Sequence, residues 1–193
     1  MQMMRLHYRR LKWRAMALLF VGRREAALDV FETMALEFPR DAYALASKAH
    51  LQAQLGNRRA ALSTFERLLE VDAANGRHWF NYGFLLDELD EYARAEAALR
   101  RATQLSPELD RAWYGLGLVL IRLQRFDEAL AALKKNTQLQ PMSPYGWYQL
   151  ARVHVDRHEP DEALRIIQHL RKFEPKVAAQ LERETGILVP PAG

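Results

Sequence analysis

Residues 113–141 read WYGLGLVLIRLQRFDEALAALKKNTQLQP and contain one complete helical hairpin. Apolar and small residues recur at three- and four-residue spacing in two stretches, which predicts one buried stripe on each of two helices. The first stripe comprises Trp113, Leu116, Gly117 and Leu120, and the second comprises Phe126, Ala129, Leu130 and Leu133. Leu123-Gln124-Arg125 is the predicted turn between them. Pro141 ends the second helix, because proline cannot continue a helical hydrogen-bond ladder.

The same pattern returns every 34 residues along the chain. One column of alanines is unbroken in five copies, and it consists of Ala27, Ala61, Ala95, Ala129 and Ala163. A second column holds Pro39, Pro107, Pro141 and Pro175, with Ala73 in the remaining place. A third holds Trp79, Trp113 and Trp147, which Leu11 and Leu45 continue upstream. Independent columns with one period indicate a repeat architecture. Small residues in the alanine column predict that the two helices of each hairpin approach closely.

The motifs W-Y-G-L-G at 113–117 and F-D-E-A at 126–129, followed by Pro141, resemble the tetratricopeptide repeat. The resemblance spans 168 residues, from 8 to 175. It implies an all-α protein, an α-solenoid of helical hairpins wound into a right-handed superhelix of less than one turn. The predicted repeats are residues 8–41, 42–75, 76–109, 110–143 and 144–175. Residues 176–186 are predicted to form a C-terminal capping helix, with Val177 and Leu181 against the fifth repeat, and residues 187–193 a loose tail.

Some positions depart from the repeat pattern. Arg14 and Lys48 occupy a column that holds Leu116 and Leu150 in later repeats. Polar side chains also replace apolar ones at Gln52 and His154. These departures predict weaker apolar packing in the first two repeats, although long basic side chains can lay their stems on apolar surface.

In the tetratricopeptide family the first helix of each repeat lines a concave groove that takes an extended peptide or a partner's helix. Transferred to this sequence, the resemblance predicts a groove rich in aromatic and arginine side chains, the types most enriched at binding hot spots. The predicted groove residues are Arg9, Lys12, Trp13, His50, Arg77, Phe80, Asn81, Phe84, Arg111, Tyr114, Leu118, Arg122, Tyr145, Tyr148 and Arg152. The alternative interpretation is that these aromatic residues pack between adjacent first helices. The lysine, asparagine and arginine set with which some family members grip a C-terminal carboxylate is incomplete here.

Charge and composition narrow the functional classes. The chain has 193 residues, a formal net charge of +4 and no cysteine, so disulfides, thiolate metal sites and a cysteine nucleophile are excluded. Residues 1–14 carry five basic side chains and no acid, whereas the remaining residues hold 23 basic and 24 acidic groups. Nucleic-acid binders usually present a basic face on the fold itself, so no nucleic-acid partner is expected. His154 and His158 stand four residues apart, but no third metal ligand is fixed nearby, and no metal or cofactor is expected.

The sequence therefore predicts a binding protein rather than an enzyme. The leading hypothesis is an adaptor or assembly chaperone, bacterial and cytoplasmic, that binds an acidic and hydrophobic segment of another protein in its groove. The first alternative is a structural subunit that self-assembles, or joins a larger complex, through its convex face. A weaker alternative is a regulator recruited to a membrane surface by the basic N-terminus, because a basic amphipathic helix can lie on anionic lipid.

Overall fold

A computed structural model describes residues 2–190, which form eleven α-helices and no strand. They fall into two compact units. The N-terminal unit, residues 1–91, contains α1 (Gln2–Phe20), α2 (Arg24–Glu37), α3 (Ala42–Gln54), α4 (Arg58–Val71) and α5 (Gly76–Glu88). The C-terminal unit, residues 92–193, contains α6 (Tyr92–Leu105), α7 (Asp110–Arg122), α8 (Phe126–Leu139), α9 (Pro144–Asp156), α10 (Pro160–Arg171) and α11 (Pro175–Thr185).

The 34-residue period of the sequence sets the period of the helices. The helices α3, α5, α7 and α9 begin at residues 42, 76, 110 and 144, and α2, α4, α6, α8 and α10 begin at 24, 58, 92, 126 and 160. Within each unit, consecutive helices pack against one another, as α3 packs on α4 and α7 on α8. The all-α fold of paired helices predicted from the sequence is confirmed.

Small residues hold the helix pairs together. All five members of the alanine column are fully buried. The first helices carry a second small column, which is also buried and consists of Ala15, Ala49, Gly83, Gly117 and Ala151. A Cβ at Gly117 would lie 2.7 Å from Cδ2 of Leu133, so even alanine would crowd the α7–α8 contact. The full burial of Ala129 on α8, which packs on α7, agrees with the close approach that the alanine column predicts.

The polar departures from the repeat pattern are accommodated by hydrogen bonds. Gln52 is buried, and its Oε1 accepts a 2.7 Å hydrogen bond from Oγ1 of Thr64. His154 is buried with Nδ1 2.7 Å from Oε2 of Glu159. Because buried polar groups destabilise a fold chiefly when they lack partners, these substitutions are compatible with a packed core. The expectation that Gln52 weakens the second repeat overlooked its hydrogen bond to Thr64.

A hydrogen bond fixes the loop before three of the first helices. The indole Nε1 of Trp79 donates to the carbonyl oxygen of Ala73 at 2.8 Å. Trp113 and Trp147 make the same bond to the carbonyl oxygens of Pro107 and Pro141, at 2.8 and 2.9 Å. The tryptophan column therefore ties each of these helices to the loop six residues upstream, in addition to its apolar packing.

The turn inside each hairpin contains one residue with a left-handed backbone. Gly22 and Gly56 hold this place in the first two repeats, with φ of 76° and 84°. The equivalent places in the later repeats are occupied by Asp90, Gln124 and His158, with φ of 60°, 58° and 60°. This conformation costs a residue with a Cβ roughly 1–2 kcal/mol of conformational free energy, whereas glycine adopts it without that cost.

We expect Gln124→Gly to stabilise the C-terminal unit. Glycine relieves the strain of the left-handed backbone, but it also has a larger conformational entropy in the unfolded chain. The net increase in the free energy of unfolding should be on the order of 0.5–1 kcal/mol. The reciprocal change Gly56→Ala should cost about 1 kcal/mol, and a Cβ there would meet no atom within 4 Å, so its effect is purely conformational. Urea denaturation of both variants checks the pair. A loss of stability in Gln124→Gly would contradict the left-handed backbone conformation at residue 124.

Both ends of the described chain differ from the sequence expectation. The first repeat was predicted to begin at residue 8, but α1 already begins at Gln2. At the other end, Ile187 and Val189 pack on the apolar cluster of α9–α11, and the backbone N–H of Val189 donates to Oε1 of Glu182 at 3.0 Å. The predicted loose tail is thus packed as far as Val189, and residues 191–193 lie outside the described part. No helix among residues 2–190 has the length and hydrophobicity that a membrane span requires.

Candidate interaction surface

The predicted groove residues of the N-terminal unit lie on α1, α3 and α5, and side-chain contacts join the three helices. The ammonium group of Lys12 lies 4.0 Å from the ring centroid of Tyr43, whose hydroxyl donates to Sδ of Met16 at 3.3 Å. The amide of Asn81 lies 3.3 Å from Nε2 of His50. The contacts of Tyr43 with Lys12 and Met16 join α1 to α3, and the contact between His50 and Asn81 joins α3 to α5. These residues therefore share one continuous face.

Aromatic side chains on this face remain accessible. Trp13 is 72% exposed and Phe84 is 52% exposed, whereas Phe80 is partly buried with its ring centroid 6.3 Å from that of Phe84. Trp13 on α1 and Phe84 on α5 thus offer apolar surface that a partner could bury. The alternative interpretation, in which the aromatic residues serve as packing between first helices, applies to Phe80 better than to these two.

His50 contributes an uncharged polar group to the middle of the face. Its ring packs edge-on against Phe65, with the centroids 5.6 Å apart. Burial against such neighbours, and secondarily the charge of His78, lower the pKa of His50 below its usual value. The imidazole is therefore mainly neutral at pH 7, and the positive charge of this face comes from its arginine and lysine side chains.

The arginines of this face differ in their surroundings. Arg77 is exposed at the start of α5, and its side chain makes no hydrogen bond or ion pair with another described residue. Arg9 borders a shallow apolar pocket of about 430 Å³ that is lined by Met4, Arg5, Tyr8, Arg9 and Phe38. The sequence analysis missed this pocket, because it placed the start of the first helix after Met4 and Arg5.

In the C-terminal unit the predicted groove residues lie on α7 and α9. Arg111, Tyr114 and Leu118 follow at three- and four-residue spacing on α7, as Arg77, Phe80 and Phe84 do on α5. Arg111 is exposed and has no partner among the described residues, whereas Tyr114 packs on the Leu130–Leu133 cluster. Each unit therefore carries one stripe of an arginine followed by an aromatic and a further apolar side chain.

Two predicted groove residues of α9 are already engaged by α11. The hydroxyl of Tyr148 donates to Oε2 of Glu184 at 2.6 Å, and Nη1 of Arg152 donates to the same oxygen at 3.2 Å. The hydrogen bond from Tyr148 is the main cause that lowers the pKa of Glu184, and the same bond raises the pKa of Tyr148. An acidic partner would have to compete with Glu184 for Arg152, which the sequence pattern could not reveal.

Arg122 and Tyr145 occupy the two ends of the predicted surface on α7 and α9. The guanidinium of Arg122 lies 5.4 Å from the ring centroid of Tyr92, within cation–π range. Tyr145 is 69% exposed at the start of α9. Of the predicted residues in this unit, Arg111 and Tyr145 are thus exposed and have no side-chain partner among the described residues.

The second helices carry ion pairs that bear on any mutational test. In the C-terminal unit, Nε of Arg100 donates to Glu96 at 2.7 Å, and its Nη2 donates to Glu128 at 2.5 Å. Nη1 of Arg125 also binds Glu96, at 2.6 Å. The two carboxylates bridge the two arginines, so reversing the charge of Arg100 would disturb the structure as well as the surface.

His154 and His158 do not converge on a metal site. His154 is buried beside Glu159, and His158 is the left-handed residue of the following turn. Within residues 2–190, no three potential metal ligands come together.

Comparisons with known proteins point to one family. A family model described as Tetratricopeptide repeat matches residues 46–110 and 85–144, and a second model with the same description matches residues 13–33. The two matches of the first model together span 46–144, more than half of the chain. No match is found among curated proteins.

Several solved structures share the fold. The crystal structure of MamA protein has a TM-score of 0.83 at 18% identity, covering 95% of this chain and 98% of that one. A tetratricopeptide repeat protein from Parabacteroides merdae has a TM-score of 0.81 at 22% identity, covering 93% and 73%. YrrB, described as a TPR protein with an unusual peptide-binding site, has a TM-score of 0.77 at 21% identity, covering 88% of both chains. At these identities the likeness concerns the fold.

Proposed function

Since the chain belongs to the tetratricopeptide repeat family, whose members are protein-interaction scaffolds, we propose that it is an adaptor rather than an enzyme. It binds a segment of a partner protein, extended or helical, that carries acidic residues among hydrophobic ones. The observation that carries the proposal is the stripe repeated on α5 and α7, in which an unpaired arginine precedes aromatic and apolar side chains. The peptide-binding site of the structurally similar YrrB lends general support.

The chemistry of the stripe defines the preferred ligand. Phe84 and Trp13 offer exposed apolar area, so they should supply most of the affinity once a partner buries them. Arg77 and Arg111 are exposed cations, which attract an acidic segment over a distance and orient it. Neutral His50 adds no positive charge to the face of α1, α3 and α5, so the charge of that face comes from its arginine and lysine side chains.

We expect Phe84→Ala to release such a ligand on the order of tenfold faster, since losing a buried aromatic contact acts mainly on dissociation. Reversing both Arg77 and Arg111 to Glu should slow association and flatten its salt dependence. The measurement uses a peptide selected on the parent chain from a library of acidic and hydrophobic sequences, with binding rates recorded at two salt concentrations.

The matched control reverses the charge of two residues on second helices, with the substitutions Arg67→Glu and Lys134→Glu. Both side chains are exposed and form no ion pair among the described residues. These two residues are better controls than Arg100, because Arg100 forms ion pairs with Glu96 and Glu128 that its charge reversal would break. If the control variant loses binding while the groove variants bind like the parent, the ligand lies on the second helices and the proposal is wrong.

A further inference from the structure

The outward side of α1 carries an apolar line that no other described residue covers. Leu6, Trp13 and Phe20 follow one another at seven-residue intervals, two helical turns, and therefore lie almost in line along the helix. Phe20 is 92% exposed, and Met3, at the same end as Leu6, is 84% exposed. The line from Leu6 to Phe20 is about 21 Å long. Such a straight apolar ridge suits a flat surface.

Cations surround this line, and α1 itself contains no acidic residue, although Oε2 of Glu37 on α2 lies 2.7 Å from Nε2 of His7. Arg5, Arg9, Arg10 and Arg14 are exposed, and none forms a hydrogen bond or ion pair with another described residue. The first acidic residue of the chain is Glu25, which lies beyond the end of α1. The helix thus presents apolar side chains and uncompensated positive charge together, which an anionic surface complements.

Two of these arginines argue against a protein helix as the occupant. Arg10 stands where the second, fourth and fifth repeats have the buried residues Ala44, Ala112 and Gly146, and where the third repeat has the partly buried His78. Arg14 stands where the third to fifth repeats have Tyr82, Leu116 and Leu150, also buried, and where the second repeat has Lys48, which pairs with Glu32 of α2. A helix packed on α1 as in the later repeats would bury two guanidinium groups, which is strongly unfavourable unless that helix supplies an acid to each of them. A second copy of α1 would add its own cations and repel the first.

We propose that α1 is a membrane-surface helix that binds anionic phospholipid. Leu6, Trp13 and Phe20 enter the boundary between headgroups and acyl chains. The arginine side chains extend along the apolar surface and place their guanidinium groups at lipid phosphates. The proposed groove function does not require this contact, and Trp13 and Arg9 belong to both surfaces. The variants used to measure vesicle partitioning therefore leave those two residues unchanged.

The experiment is co-sedimentation of the full chain with vesicles of phosphatidylcholine, alone and mixed with phosphatidylglycerol. Binding is expected to the mixed vesicles and to weaken as salt rises, because surface charges are screened. Each cation near an anionic surface contributes on the order of fivefold in partitioning, so Arg10→Glu with Arg14→Glu should reduce it about 25-fold or more. Leu6→Ser with Phe20→Ser should reduce it on the order of tenfold.

Matched controls change exposed residues away from α1. Arg59→Glu with Arg67→Glu on α4 removes as much positive charge, and Leu36→Ser on α2 removes an exposed leucine. Both controls should partition like the parent. All altered side chains are exposed, so circular dichroism should show an unchanged fold. Equal binding by the α1 variants and the parent would overturn the proposal, as would absence of binding by the parent.

Brominated lipid tests whether the apolar line enters the bilayer. It should quench part of the tryptophan fluorescence of the bound parent, and Trp13→Phe should abolish that quenching, because Trp13 is the tryptophan on the proposed lipid face. Vesicle binding without quenching, together with equally tight binding to an acidic polypeptide, would overturn the proposal in favour of an acidic protein partner.

Discussion

Replacing Leu181 by alanine is expected to lower the free energy of unfolding of the C-terminal unit by about 2–5 kcal/mol. Leu181 lies on α11, is fully buried, and forms one cluster with Ile167 and Leu170 of α10 and Ala151 of α9. A terminal repeat otherwise exposes its apolar face, so α11 acts as the cap of α9 and α10. The substitution leaves a cavity at this contact.

Urea denaturation measures the loss, and hydrogen exchange locates it. Amide protection should fall first in α9–α11 and remain high in α3 and α4, because a repeat array loses order locally. Leu188→Ala is the matched control, since the same change is made at an exposed leucine near the same end. A loss below about 1 kcal/mol for Leu181→Ala would show that α11 does not stabilise the unit.

The second large effect is expected from Ala129→Leu, which should cost about 1–3 kcal/mol by overpacking. Ala129 is fully buried on α8, and Gly117 of α7 already lies against Leu133. We therefore expect the three additional carbon atoms of leucine to push α7 and α8 apart. Thermal and urea denaturation of the variant measure the cost.

Ala131→Leu is its control, because Ala131 lies on the same helix but is exposed. The control should unfold within about 0.5 kcal/mol of the parent, as most surface changes do. If both variants unfold like the parent, the assigned helix pairing is wrong.

The repeat could be predicted from the sequence because its columns have simple steric causes. Ala129 must be small where two helices touch, and Pro141 must end a helix, so both leave a periodic signal in the chain. The left-handed turn position left a signal at Gly22 and Gly56 but not at Gln124, where an ordinary side chain tolerates the same backbone. Sequence reasoning could therefore place the turn without describing its conformation.

The candidate surface could be predicted less completely than the fold. The period places Trp13 and Phe84 on first helices, and both are accessible in the structure. It could not show that Arg152 and Tyr148 already bind Glu184, because that contact depends on where the last helix packs. Contacts made by elements outside the repeat have no counterpart in earlier repeats, so the period carries no information about them.

The indole-to-carbonyl bond suggests how such repeats can diverge after duplication. The acceptor is a backbone oxygen, so the side chain at the acceptor position can change freely, and Ala73 replaces proline beside Trp79 without loss of the bond. The loop before α3 keeps the proline, Pro39, but has Leu45 in place of the tryptophan and therefore lacks the indole hydrogen bond. The loops before α7 and α9 have both the proline and the tryptophan, whereas the loops before α3 and α5 have only one of the two. This redundancy lets single substitutions accumulate as neutral drift, and a designer of consensus arrays could vary one of the two positions at a time.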